Sequence, residues 1–221
     1  MSRVYILCEG ATEETFVRTL LWPVLGTAGV HAPPVIIGRP GHKGGHVNRQ
    51  RTVDHVVRLL KQDKNSRCTT FLDYYGLDSD FPGKPVPPGL STEAKAERIE
   101  QHFYAEVASE LPDELRPDRF FPYIQMHEFE GLLFSDPVAL AKGLYRGDAA
   151  DELKAIREQF ESPEDINDNS QTAPSKRIAT AVGRYNKPVG GSLAALEVGL
   201  DSIRQECTRF NAWVTKLLTL G

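Results

Sequence analysis

The chain has 221 residues, 40% of them hydrophobic and 25% charged, with a formal net charge of −4 at pH 7. Its apolar runs are only a few residues long, well short of the roughly 18 that cross a bilayer, and Cys8, Cys68 and Cys207 lack the spacing of a zinc ribbon or a disulfide framework. These features exclude a membrane protein and a secreted disulfide scaffold and predict a globular cytoplasmic protein with reduced, buried cysteines. They also argue against a surface coated with positive charge, although they permit a local basic groove.

The first part of the chain alternates between strand and helix patterns. β-Branched, aromatic and apolar residues at 3–8 predict a strand that stops at Glu9. Thr12 offers a cap for the next helix, whose first turn holds Glu13. The remaining predicted strands are 34–37, 68–72 and 120–124, and helices are predicted around 53–60 and over 91–107. This alternation predicts an α/β fold with a four-stranded parallel sheet covered by helices on both faces.

The later part of the chain reads differently. A proline- and glycine-rich segment at 74–90 follows the third predicted strand, and long loops of this kind in compact domains are often functional. Beyond residue 135 the pattern is helical, with predicted helices at 136–145, 149–160, 175–185 and 201–218. We therefore expect a core at 1–135 with a helical C-terminal extension at 136–221 packed on it as a single structural unit.

Acidic residues follow three of the predicted strands. Glu9 ends the first strand, Asp73 ends the third, and Glu128 and Glu130 follow the fourth. The carboxyl ends of neighbouring parallel strands lie about 4.8 Å apart at the edge where ligands bind. Two carboxylates about 4 Å apart repel by about 4 kcal/mol at an effective dielectric of 20, and a divalent cation reverses that cost. Oxygen ligands suit Mg²⁺ or Mn²⁺, although each acid by itself could be a cap or turn residue.

Two stretches of the chain carry cations and no acidic residue. They are 39–51, rich in glycine, and 169–196, where a helix start is predicted beside Lys176. Glycine lets backbone amides approach phosphate and arginine binds it with two N–H groups, while a lysine near a helix N-terminus can stabilise a phosphoryl transition state. The alternative is an ordinary solvated surface. The residues predicted to contact nucleic acid are Arg39, Lys43, Arg49, Arg51, Lys176 and Arg177. Tyr74 and Tyr75, beside Asp73, are the aromatic candidates for base stacking.

Several segments resemble a known family. The sequence Glu-Gly-Ala-Thr-Glu at 9–13, after an apolar strand, resembles the E-G-x-T-E opening of Toprim domains in overcoming-lysogenization-type nucleases. The whole chain is similar to a bacterial Toprim-like family, domain of unknown function 4276, through segments 71–76, 127–136, 162–167 and 173–177. The resemblance implies a Toprim-like fold, a nuclease activity and a role in phage defence, often alongside a separate ATPase. The chain itself lacks the P-loop pattern G-x-x-x-x-G-K-[ST].

The chain departs from the Toprim pattern in one respect. Toprim domains usually carry D-x-D directly after the third strand, whereas the residue two beyond Asp73 is Tyr75. Either the loop folds back so that Asp80, with Asp78 nearby, fills the second ligand position, or the metal keeps fewer protein ligands. Glu128 and Glu130 share a face only in an extended segment, and of the two we favour Glu130 as the one that lines the site.

These observations together predict a nuclease that depends on Mg²⁺ or Mn²⁺. The predicted metal ligands are Glu9, Asp73, Asp78, Asp80 and Glu130. The predicted catalytic residues are Glu9, Asp73, Glu13 and Lys176, with Glu13 orienting a water molecule or holding a second ion. The alternative is a non-catalytic Toprim-like subunit that binds metal or nucleotide, and a third hypothesis is a small-molecule phosphatase.

Overall fold

The centre of the fold is a parallel sheet of six strands. A computed structural model describes residues 2–37, 47–113, 115–167 and 172–221, and within them the strands are β1 (Ser2–Cys8), β2 (Val30–His31), β3 (Pro34–Ile36), β4 (Arg67–Asp73), β5 (Phe120–Phe121) and β6 (Ile124–Gln125). β1 pairs with β2 and β3 on one side and with β4 on the other, and β4 pairs in turn with β5 and β6. All these pairings are parallel, so the predicted α/β class with a parallel sheet is confirmed.

The predicted fourth strand is divided into β5 and β6. Pro122 lies at the division, and proline cannot donate to a sheet ladder. Two buried threonines of β4 replace the missing backbone bonds: the Thr69 hydroxyl donates to the carbonyl of Phe121 at 2.6 Å, and the Thr70 hydroxyl donates to that of Tyr123 at 2.9 Å. The second predicted strand, 34–37, corresponds to β3, and the short strand β2 before it was not predicted.

Helices surround the sheet. They are α1 (Ala11–Phe16), α2 (Trp22–Thr27), α3 (Arg49–Gln62), α4 (Thr92–Glu110), α5 (Glu130–Leu133), α6 (Pro137–Gly143), α7 (Ala150–Arg157), α8 (Pro174–Val182), α9 (Lys187–Glu206) and α10 (Thr208–Leu218). A π-helical turn at Val17–Leu21 joins α1 to α2, and short 3₁₀ turns occur at Tyr74–Gly76, Gly147–Ala149 and Pro163–Asp165.

Two predicted helix boundaries are wrong. The helix predicted at 201–218 is two helices, because α9 begins at Lys187 and the chain becomes extended at Cys207 before α10. The signal for the start of α9 is weak because its interior contains several glycines, which disfavour a helix, and Gly199 has a φ of 76°. At the other end of the chain Thr12 lies inside α1, and Gly10 is the residue before its first turn.

Each face of the sheet has its own hydrophobic core. On one face the rings of Phe16, Phe71 and Phe129 pack with Phe210 and Trp213 of α10, at centroid distances from 5.4 to 6.2 Å. α3 and α4 cover the opposite face around a second cluster of buried side chains. Residues from both sides of position 135 contribute to the first core. Burial of each aromatic side chain contributes about 1.5–3 kcal/mol, so the two parts of the chain stabilise each other. All three cysteines are buried and free.

The parallel arrangement places the carboxyl ends of the strands at one edge. Cys8 of β1 is opposite Ile36 of β3 and Phe71 of β4, and Asp73 of β4 is opposite Gln125 of β6. The segments after β1, β4 and β6 therefore begin next to one another. Among the described residues, no helix has both the length and the apolar character needed to span a bilayer.

Candidate active site at the carboxyl edge of the sheet

The two central strands bring two acidic residues together. Glu9 directly follows β1, and Asp73 is the last residue of the neighbouring β4. The backbone N–H of Asp73 donates a hydrogen bond of 3.3 Å to Oε2 of Glu9. A Cβ atom on Gly76 would overlap the Glu9 carboxylate, so the glycine leaves the space that this carboxylate occupies. Glu9 and Asp73 therefore share one edge of the sheet, and their charges interact.

The segment after β6 adds two further carboxylates. The backbone N–H of Phe129 donates a 2.7 Å hydrogen bond to Oδ1 of the buried Asp73, which anchors this segment to the end of β4. Oε2 of Glu128 accepts a 2.9 Å bond from the backbone N–H of Ser175 in the first turn of α8, where the helix dipole favours a negative charge. Glu130 begins α5 and is completely buried.

The ammonium group of Lys187 lies among these carboxylates. Its Nζ atom is 3.0 Å from Oε2 of Glu130, 3.6 Å from Oδ2 of Asp73 and 3.8 Å from Oε1 of Glu128. Lys187 is the first residue of α9, and the Asn186 side chain caps this helix by accepting a 3.3 Å bond from a backbone N–H of its first turn. Because 39% of the lysine side chain is exposed, Lys187 lies between the buried carboxylates and the solvent.

Close packing around the start of α9 holds this lysine in place. A Cβ atom at Gly191 would lie 3.0 Å from the Tyr185 hydroxyl oxygen and 3.2 Å from Cγ2 of Thr12 in α1, so glycine is what lets α9 approach both. The Tyr185 hydroxyl donates a 3.0 Å hydrogen bond to Oε1 of Glu130. Glu130 thus has one oxygen facing Tyr185 and the other facing Lys187.

Glu9, Glu13, Asp73, Glu128 and Glu130 are called the carboxylate cluster below. Burial, followed by the charge of Glu13, raises the pKa of Glu9 from 4.5 to about 7. Burial likewise raises the pKa of Asp73 well above its usual value and that of Glu130 to about 6. At Lys187 burial opposes the charged form, but the facing carboxylates, Asp73 first, outweigh burial and raise the pKa. The cluster therefore holds more negative charge than this lysine balances.

The chain matches one family model over nearly its whole length. The model is described as a domain of unknown function (DUF4276), and it matches residues 8–218. The chain belongs to this family. The family predicted from the sequence is therefore confirmed, while its relation to Toprim domains stays a prediction. No curated protein matches the chain in sequence.

Two solved structures are similar to the chain. Both are described as the C-terminal region of the OLD protein of Xanthomonas campestris pv. campestris, one phased with iodine and the other with mercury. The first is 14% identical and the alignment covers 99% of this chain and 95% of that one. The second is 16% identical, with coverages of 100% and 94%. The TM-score is 0.46 in both comparisons.

In this member of the DUF4276 family, Glu13 has a structural role at the start of α1. Its Oε2 atom accepts a 2.9 Å hydrogen bond from the backbone N–H of Gly10, which satisfies a donor at the start of α1. The side chain is 4% exposed, and burial raises its pKa. Glu13 therefore keeps one oxygen for the helix end, and its charge acts on Glu9. Its predicted role with water or a second ion stays a prediction.

The two loop aspartates are joined to the start of α3. Oδ2 of Asp78 accepts a 3.0 Å hydrogen bond from the side-chain amide of Asn48, the residue that caps α3. Asp80 is exposed, and its charge helps to raise the pKa of Arg49 in the first turn of that helix, after the larger effect of Glu106. Asp78 thus contacts the residue that caps α3, and the charge of Asp80 acts on the first turn of that helix. Their predicted metal ligation stays a prediction.

The predicted basic residues have different surroundings. Arg39 and Lys43 lie outside the described residues. Arg49 forms an ion pair of 2.9 Å with Glu106 of α4, and Arg51 is exposed on α3. Arg49 is therefore engaged within the protein, whereas Arg51 is open to a ligand.

On α8 the two predicted cations also differ from each other. Lys176 is exposed, and it follows Ser175, whose N–H binds the carboxylate cluster. Arg177 donates from Nε to the carbonyl of Thr172 at 2.8 Å, and its guanidinium lies 5.1 Å from the centre of the Phe160 ring. The predicted contacts of Lys176 and Arg177 with phosphate stay predictions.

The sequence analysis did not select Lys187, the cation closest to the acids. A signal for it exists: Asn186 and Pro188 on either side of it are typical of the first residues of a helix. Lys187 also lies in the acid-free stretch 169–196. The sequence does not reveal that this helix start faces the end of β4, because that depends on how α9 packs.

The donor chemistry of the carboxylate cluster fits Mg²⁺ or Mn²⁺, since all its donors are oxygen atoms. Burial raises the pKa of Glu9 and of Asp73 although the charge of Lys187 opposes the shift at both, so the lysine compensates these carboxylates only in part. In the described part of the chain, however, no three acidic, histidine or cysteine side chains are already arranged around a common metal position. Glu9 and Asp73 are the residues that would hold an ion here.

Proposed function

We propose that the chain is a divalent-metal-dependent nuclease that hydrolyses phosphodiester bonds in DNA or RNA. The observation that carries the proposal is the meeting of Glu9 and Asp73 at the ends of adjacent parallel strands, with Lys187 3.6 Å from the Asp73 carboxylate. Carboxylates and a lysine at one edge can bind, respectively, a divalent cation and a phosphate group. In the same proposal the fold is Toprim-like, and the protein serves in phage defence with a separate ATPase partner.

The charge balance of the edge supports the metal. The carboxylate cluster has five members and three of them face Lys187. The two at the strand ends, Glu9 and Asp73, have raised pKa values. A bound Mg²⁺ or Mn²⁺ would neutralise part of this charge, lower the pKa of a bound water molecule and neutralise the scissile phosphate. Glu9 and Asp73 would hold the ion, because they lie at the ends of adjacent strands. The oxygens of Asp73 face the Phe129 N–H and the Lys187 ammonium, so the ion would share this carboxylate with Lys187.

Lys187 is the residue proposed to contact the phosphate. Its ammonium is anchored by Glu130 and Glu128, yet more than a third of the side chain is open to solvent. A lysine binds phosphate as a point charge, and a fixed charge stabilises the negative charge that develops during phosphoryl transfer. In this proposal Lys187 stabilises the charge in phosphoryl transfer, the role that the sequence analysis assigned to Lys176.

A second candidate function is a non-catalytic metal- or nucleotide-binding subunit. It is favoured by the absence, among the described residues, of three ligands already arranged for a metal. In addition, the Lys187 ammonium already faces Asp73, Glu128 and Glu130. If that lysine is the permanent counter-ion of the acids, the edge could bind a ligand without cutting it.

Cleavage assays separate these functions. The purified protein is incubated with plasmid DNA, single-stranded DNA and tRNA in the presence of Mg²⁺, Mn²⁺ or EDTA. The nuclease proposal expects cleavage that EDTA abolishes and that Glu9→Gln and Asp73→Asn each abolish. Glu14→Gln is the matched control on the same helix, since Glu14 forms only a surface ion pair with Arg18.

The remaining outcomes identify the alternatives. No cleavage of any substrate, with or without an ATPase partner, together with Mn²⁺ binding by calorimetry that Glu9→Gln removes, would identify the non-catalytic subunit. Hydrolysis of p-nitrophenyl phosphate with no effect on polynucleotides would identify a small-molecule phosphatase. Cleavage that persists in both the Glu9→Gln and Asp73→Asn variants would show that the reaction occurs elsewhere in the protein.

A further inference from the structure

Three aromatic rings gather beside the carboxylate cluster. Tyr74 and Tyr75 directly follow Asp73, and His127 directly precedes Glu128. The ring centroids of the two tyrosines are 5.8 Å apart, and His127 lies 6.3 Å from Tyr74 and 5.7 Å from Tyr75. The rings therefore form one group next to the acids that end β4 and precede α5.

His127 has an unusual backbone and an unsatisfied side chain. Its φ is +66°, a conformation that is uncommon outside glycine and that clusters at binding sites. The residue is 6% exposed, and within the described residues its Nδ1 atom has no hydrogen-bond partner. Burial and the charge of Lys95 lower its pKa to about 4, against the opposing charges of Asp165 and Glu128. The imidazole is therefore neutral near pH 7, and its Nδ1 atom is buried without a partner among the described residues.

Asn167 adds a second unsatisfied polar atom to the group. Its side-chain amide donates a hydrogen bond to the Tyr75 hydroxyl, while its Oδ1 atom is buried without a partner in the part of the chain that the structure describes. Buried polar atoms are nearly always hydrogen-bonded in folded proteins. His127 and Asn167 both contact Tyr75, and each carries one such atom. Two unpaired polar atoms in one place indicate a ligand with a neutral, polar edge.

The group is firmly held. The Lys84 ammonium lies 4.4 Å from the centre of the Tyr74 ring and donates 3.0 Å hydrogen bonds to the carbonyls of Tyr74 and Leu77. The backbone N–H of Tyr75 donates to the carbonyl of His127 at 3.2 Å. Both tyrosines remain only partly buried, so part of each residue is open to a ligand.

We propose that Tyr74, Tyr75, His127 and Asn167, called the aromatic group, bind an unpaired nucleobase of a nucleic-acid strand. Tyrosine faces stack on bases, and an amide oxygen and a neutral imidazole nitrogen match the donors and acceptors on a base edge. The proposal rests on the proposed function, because it places the base next to the phosphate that Lys187 would contact. The proposal predicts that the preferred substrate is single-stranded, since a paired base cannot reach the rings.

Binding is tested without cleavage, in EDTA, by fluorescence anisotropy. The probes are a fluorescein-labelled single-stranded oligonucleotide in DNA and RNA form, the same strand with one abasic position, and the matching duplex; free AMP is the competitor. Tyr75→Ala is expected to weaken binding of the intact strand about tenfold, in line with the loss of one stacked base. Tyr75→Phe, which keeps the ring, should retain most of the affinity.

Two further variants control for folding. His127→Asn is expected to fold, because asparagine adopts positive φ readily. It should weaken binding of the intact strand and leave binding of the abasic strand unchanged. Tyr145→Ala removes an exposed tyrosine that also has a positive φ but belongs to the loop after α6, and it should leave binding unchanged.

The outcomes for the aromatic group are distinct from those of the nuclease assay. The proposal is overturned if intact, abasic and duplex probes bind equally, or if Tyr75→Ala and His127→Asn fold and bind like the parent. Competition by free AMP as strong as that by the strand would also overturn it, because the site would then recognise a nucleotide and not a strand. If base-dependent binding is present but no substrate is cut with Mg²⁺ or Mn²⁺, the aromatic group stands and the nuclease proposal fails.

Discussion

Replacing Lys187 with methionine removes the ammonium that faces three carboxylates. The shortest contact, 3.0 Å to Oε2 of the fully buried Glu130, corresponds to about 5 kcal/mol at an effective dielectric of 20. Solvent reduces this value, because the lysine side chain is 39% exposed. We expect Lys187→Met to lower the free energy of unfolding at pH 7 by about 3 kcal/mol, the lower end of the range for breaking a buried ion pair.

The loss should depend on the protonation of Glu130. Its pKa is about 6 even with the lysine present, so removal of Lys187 raises it further and the carboxyl group becomes neutral as the pH falls. The destabilisation should therefore be largest above pH 7 and fade below about pH 6. Urea denaturation of Lys187→Met, Glu130→Gln and the double variant measures the coupling between the two residues, which we expect to be about 2 kcal/mol.

Lys142→Met is the matched control. Lys142 contacts Glu197 at 2.7 Å, which is shorter than the contact of Lys187, but its side chain is 73% exposed. We expect this substitution to cost much less stability than Lys187→Met, because solvent screens an exposed ion pair. If Lys187→Met and Lys142→Met destabilise equally, or if the double variant shows no coupling, the lysine is not held by buried charge and the described electrostatics are wrong.

Three further predictions concern stability. The pKa of Glu9 is raised from 4.5 to about 7, so the folded state binds the proton more tightly and this stabilisation, complete below about pH 4.5, is lost as the pH rises through 7; the free energy of unfolding of the metal-free protein, measured by urea denaturation, should fall by about 3 kcal/mol across that range. Gly143→Ala places a Cβ atom 2.6 Å from Cα of Ala194 and should cost about 1–3 kcal/mol in urea denaturation, because α6 and α9 must separate. Tyr185→Phe removes the hydroxyl donor to the buried Glu130 and should cost about 1–3 kcal/mol by the same measurement.

Each of these predictions has its own control. Glu9→Gln should flatten the pH dependence, and an unchanged slope in that variant would assign it to other groups. Gly26→Ala in α2 meets no atom within 4 Å and should stabilise the helix by up to about 1 kcal/mol, so a similar loss at Gly26 and Gly143 would contradict the close-packing argument. A Tyr185→Phe variant as stable as the parent would show that its hydroxyl does not support Glu130.

Local sequence signals were sufficient for the two central strands of the sheet. The strands predicted at 3–8 and 68–72 are β1 and β4, because residues buried on both faces of a parallel sheet form continuous apolar runs. The same signal extended across Pro122, where the sequence pattern is apolar but the missing N–H divides the strand. Side chains of β4 repair that division, and a cross-strand contact of this kind is not visible in a local pattern.

Helix α9 illustrates what local propensity does not contain. Glycines at 190, 191 and 199 disfavour a helix in isolation, yet the structure uses Gly191 to approach Thr12 and Tyr185. Extensive contact with α6 and further contact with α1 accompany this approach. The residues that weakened the prediction are therefore the ones that permit the packing, and tertiary contact outweighs their low propensity.

The amino-acid sequence by itself indicated that Glu9 and Asp73 each lie at the end of a strand, since a run of apolar residues ending in an acid needs no distant partner to be recognised. The pairing of those two strands is a property of the assembled sheet. Only the tertiary structure decided that Lys187 faces Asp73 and Glu130, and that His127 joins Tyr74 and Tyr75. These meetings depend on the distance at which whole helices and loops pack against the sheet. That distance is set by the shapes of many side chains together, and no single segment of the chain carries it.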